Sequence, residues 1–107
     1  MPSRRFPDPS LTVPVLAWQA DVIEVVIEFN HDVTIVNNDP TPWTVANLEG
    51  ASVLDVRQPG GEPSKILLVM STRVQAESVT FGPPPFGLVD EFGRNVQGFS
   101  DFPVTMM

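Results

Sequence analysis

Over residues 21–29 the side chains alternate. Ile23, Val25, Ile27 and Phe29 are apolar, and Glu24, Val26 and Glu28 fall between them. A period of two places the first set on one face of a pleated strand and leaves the other face mostly to solvent. Five β-branched residues in the same stretch oppose a helix. Similar patterns predict strands at 31–36, with Val33 and Ile35 inward, and at 43–48 and 51–57. They also predict a strand over Ser78–Phe81, with Val79 and Phe81 on one face. Residues 11–16 give a first short strand in which Pro14 is tolerated only at a sheet edge. The run Lys65–Met70 is nearly all apolar, as in a central strand covered on both sides. Residues 98–106, interrupted by Pro103, close the pattern. Between these segments stand turn-forming clusters at 37–42, Glu49-Gly50, 59–63 and 82–85. About seven to eight short strands with turns every ten residues or so predict an all-β, antiparallel β-sandwich. The sandwich is expected over 11–107, after an extended N-terminal arm over 1–10 that carries three prolines and two arginines.

Composition strengthens the all-β expectation. Sixteen Val and four Ile make up nearly a fifth of the 107 residues, and twelve Pro with seven Gly interrupt every stretch long enough for a helix. Without cysteine, disulfides and thiolate metal sites are excluded. Thirteen acidic residues against six basic ones give a net charge of −7, too few cations for a counterion-displacing face. Nucleic acid and anionic membranes are therefore not expected partners. Arg4 and Arg5 precede proline-rich sequence, where a signal peptide needs an apolar run, and no apolar run is long enough to span a bilayer.

The last third of the chain carries a more specific pattern: a strand at Ser78–Phe81, a proline-bearing loop, Asp90 and Gly93 in a turn, the Phe99-Ser100 step, and Val104-Thr105. It resembles the close of the bacterial Ig-like repeats of surface and motility proteins, such as the cyanobacterial swimming-protein repeat. The alternating segment ending at Phe29 is similar to that family's second strand. Arg94 stands between Gly93 and Asn95, so the turn is one residue longer than the family pattern or differently registered. The resemblance implies an Ig-like sandwich, and such a fold specifies a surface more than a chemistry.

Candidate chemistry is sparse. His31-Asp32 is the one histidine–carboxylate pair, and no serine occupies a nucleophile-elbow context. No catalytic residue, cofactor or enzymatic activity is expected. Asp90, Glu91 and Asn95 offer oxygen ligands for calcium in one loop, and Asn37, Asn38 and Asp39 in another, but neither has alternating ligand spacing and an Asx-stabilised turn accounts for both. The run Pro83, Pro84, Pro85 offers a polyproline II ligand or simply a stiff loop. Trp43, beside a proline loop, offers a face for stacking on a sugar ring, but core packing or a half-buried anchor explains it better, and Trp18 better still.

These features predict a non-enzymatic structural or interaction module whose partners are proteins. A single Ig-like domain with no signal segment fits a tailed-phage virion component, a capsid decoration or head/tail accessory protein present in many copies in a symmetric assembly. The arm, through Arg4, Arg5 and Phe6, would dock it on its neighbours. The alternative is an adhesion or carbohydrate-binding module of a bacterial surface protein or phage, with an extracellular or cell-surface location.

Overall fold

A computed structural model describes residues 11–36, 39–82 and 87–105. Among them lie nine strands and no helix: β1 (Pro14–Asp21), β2 (Glu24–Phe29), β3 (Val33–Ile35), β4 (Trp43–Ala46), β5 (Val53–Arg57), β6 (Lys65–Met70), β7 (Ser78–Phe81), β8 (Leu88–Asp90) and β9 (Phe99–Pro103). They form a four-stranded sheet in the order β1-β2-β6-β5, a three-stranded sheet β4-β7-β9 and the pair β3-β8. Every pairing of these strands is antiparallel. One buried cluster draws Ala17, Val25, Ile27, Ile66 and Leu68 from the larger sheet and Trp43, Val45, Val79 and Phe81 from the smaller, the arrangement of a β-sandwich.

The register explains the core. Val25 pairs with Leu68 and Ile27 with Ile66, so alternate residues of β2 and β6 send the same face inward, and all four are fully buried. At one end the sheets are joined by aromatic rings. Trp43 stacks on Phe81 at 4.3 Å between centroids, and Phe99 lies edge-on to Phe29 at 6.2 Å and to Trp43 at 6.3 Å.

The structure departs from the sequence pattern in several places. The first strand is Pro14–Asp21, shifted toward the C-terminus from the expected 11–16, and it pairs with β2 across a tight turn at Val22 and Ile23. Pro14 does lie on an edge strand. Ile23 sits in that turn, exposed, and Val26 is buried although it faces away from the core. The cause is Trp18, which pairs with Val26 and half-covers the outer face of the sheet, with the Lys65 ammonium 5.4 Å from its ring centroid. β6 is central, but Leu67 and Val69 on its outer face are only half-buried. β8, which pairs with β3, has no counterpart among the expected strands. The arm at 1–10, with Arg4, Arg5 and Phe6, lies outside the described residues, as do Asn37, Asn38 and the proline run.

Candidate functional site

Two clusters of polar side chains stand at opposite ends of the four-stranded sheet. The first is the turn after β8. Asp90 is 5% exposed and accepts four hydrogen bonds. Its Oδ1 takes the backbone N–H groups of Phe92 and Arg94 at 3.0 and 2.9 Å. Its Oδ2 takes the Thr12 hydroxyl and Arg94 Nε, both at 2.8 Å. Burial pushes the carboxyl's pKa up, but the Arg94 N–H, the Thr12 hydroxyl, the Arg94 guanidinium and the Phe92 N–H together outweigh it and hold the group at about 2. Gly93 has φ +80°, a conformation strained for any residue with a Cβ, and its N–H reaches the Asp90 carbonyl at 3.0 Å.

This geometry bears directly on the calcium candidates. Asp90 has both oxygens filled by protein donors, Glu91 faces His31 Nδ1 at 3.7 Å, and Asn95 meets Val89 as a backbone bridge. No group of three His, Asp or Glu side chains that could hold a metal ion occurs among the described residues. In the second loop, Asp39 Oδ1 accepts from the Thr41 N–H and hydroxyl, as an Asx turn does. Arg94, which stands between Gly93 and Asn95, is the residue whose guanidinium balances the Asp90 charge. The sequence offered one signal for this, an Asp and an Arg four residues apart around a glycine.

Trp43 is not available as a stacking platform. It is 5% exposed and Phe81 lies against its ring, so it belongs to the core. His31 packs edge-on against Phe92 at 5.1 Å beside Glu91.

The second cluster was not legible as a site in the sequence. A cleft of about 560 Å³ opens at the other end, between the β1–β2 turn (Asp21, Val22), Glu49 of the β4–β5 loop, and residues 73–75 after β6. A smaller hollow of about 230 Å³ adjoins it, lined by Leu48 and Glu77 and sharing Glu49 and Gln75. Gln19 forms the base. Its Nε2 donates to the Val74 carbonyl at 2.6 Å and the Asp21 carbonyl at 3.0 Å, and its Oε1 accepts from the Ala76 N–H at 2.9 Å. Asn47 shapes the neighbouring loop: its Oδ1 accepts from the Glu49 and Ala51 N–H groups, and its Nδ2 donates to the Val45 and Ala51 carbonyls. The cleft walls are therefore held in place by side-chain amides, Gln19 buried and Asn47 half-buried, and not by apolar packing alone. Gln19→Leu keeps the volume but leaves the Val74 carbonyl and Ala76 N–H unpaired, so urea unfolding should show a loss of about 2 kcal/mol. Unchanged stability would mean these groups find other partners.

In comparisons with known proteins, no family model, no curated protein and no solved structure significantly matches the chain.

Proposed function

We propose that this chain is a non-enzymatic interaction module, an Ig-like sandwich that docks on a larger protein assembly as a capsid decoration or head/tail accessory subunit of a phage virion. The observation that carries the reading is a run of exposed apolar side chains leading into and along β1, an edge strand. Leu11 is 57% exposed, Val13 44%, Val15 52% and Leu16 45%. Soluble domains seldom leave such a run uncovered, and an edge strand with apolar side chains is a template for a partner's surface or strand. Along the outer edge of β1 the described residues supply only Thr105, which bonds Ala17 and Gln19 and leaves the stretch before Ala17 open. Acidic side chains over the remaining surface keep the free chain soluble until it docks. Repetition around a symmetric particle would turn a modest contact into stable attachment.

The reading is tested by replacing Val15 and Leu16 together with serine. Both are exposed, so the urea midpoint should hold, while occupancy on particles should fall more than tenfold. Full occupancy with the double replacement would remove β1 as the docking surface.

A further inference from the structure

We propose that the cleft between the β1–β2 turn, the β4–β5 loop and residues 73–75 receives residues 4–8 of a second copy of this chain, so that copies join head to tail. The inference rests on the docking-module reading and names a partner for it.

The cleft carries a charge pattern. Asp21 and Glu49 line it, Glu77 stands in the adjoining hollow, and Arg73 faces the same space. Arg73 forms no salt bridge among the described residues. Around these charges stand Val22, 46% exposed, and Leu48, 90% exposed, an apolar side chain left almost wholly in water. The segment Arg4-Arg5-Phe6-Pro7-Asp8 is the complement: two cations for the acids, an aromatic ring for Val22 and Leu48, and an acid for Arg73. The rest of the chain, residues 11–107, has four cations against twelve acids. Arg4 and Arg5 are thus the strongest local concentration of positive charge the chain can offer such a cleft.

The geometry separates self-docking from docking between copies. The chain enters β1 beside Asn30, whose side chain bonds the Leu11 carbonyl and the Val13 N–H. Asn30 follows Phe29, which pairs with Pro14 at the far end of β1 from the cleft. From Pro14 to Asp21 the strand covers about 23 Å at roughly 3.3 Å per residue. Phe6 and Leu11 are five steps apart along the chain, which reach about 18 Å when fully extended. Phe6 therefore falls short of the cleft of its own molecule and meets that of a neighbour. An interface joining different surfaces of identical subunits is heterologous and closes into a ring or extends as a filament.

Sedimentation velocity on the full chain tests this. The wild type should associate with rising concentration, and raising salt from about 50 to 500 mM should weaken that association on the order of tenfold. Arg5→Glu, which lacks a competent arm, and Glu49→Lys, which lacks a competent cleft, should each be monomeric. An equimolar mixture should give a discrete dimer and nothing larger, because one intact arm meets one intact cleft. Arg5→Glu leaves every described residue of the cleft unchanged, so its result does not depend on an altered cleft folding correctly. A monomeric wild type, association that survives Arg5→Glu, or a mixture without the dimer would overturn the proposal. Particle docking through β1 is read separately, so the two readings fail independently.

Discussion

Phe81→Ala should destabilise the chain by about 3–5 kcal/mol, the largest effect expected of any single truncation in the core. Phe81 is 1% exposed, lies stacked on Trp43, and has Phe99 at 5.9 Å. Removing the ring deletes a stacking partner from one side of Trp43 and leaves a cavity where the smaller sheet meets Phe29 of the larger. Neither β4 nor β7 can close over that gap without disturbing its antiparallel register, in which Trp43 and Phe81 are direct partners. Urea denaturation followed by tryptophan fluorescence would report both the midpoint and the altered surroundings of Trp43. A loss below about 1 kcal/mol would mean that the aromatic cluster does not hold the two sheets together.

Asp90→Ala should cost about 3 kcal/mol at neutral pH, because it leaves Thr12, two backbone N–H groups and the Arg94 guanidinium without their shared acceptor. Arg94 is partly exposed and regains water, which keeps the loss below that of a fully buried ion pair. The same carboxylate sets an acid dependence. Its pKa is about 2 in the folded chain, below the ordinary 3.8, so its contribution is complete above about pH 4 and is lost as pH falls toward 2. That contribution is about 2 kcal/mol. The stability gap between wild type and Asp90→Ala should therefore narrow as pH falls from 4 to 2. A gap independent of pH would show that the loop is held by shape and not by charge.

The all-β class was legible because β-branched residues alternate and prolines break every longer run. β6 and β7 coincide with the expected segments because a strong turn cluster precedes β6 and another follows β7. The limits of β1 were not legible. Trp18, Gln19 and Ala20 carry no alternating apolar pattern, since Gln19 is buried by its hydrogen bonds and Trp18 faces outward over Val26. The expected strand at 43–48 stops at Ala46, because the Asn47 side chain bonds the backbone on both sides and turns Leu48 out into water. The cleft was hidden for a similar reason. Its residues come from three separate segments, and only pairing of β1, β2, β6 and β5 brings them together. The Asp90 turn was visible as a group of oxygen ligands, but Thr12, which completes it, lies 78 residues away in sequence.

The proposed role of this chain, a building block that docks on a larger assembly, requires that it travel with the particle. The most direct measurement is quantitative mass spectrometry of phage particles purified through a density gradient. The chain is expected in the particle fraction, at an integer number of copies per symmetry unit. Recovery of the chain only from the soluble fraction would contradict it.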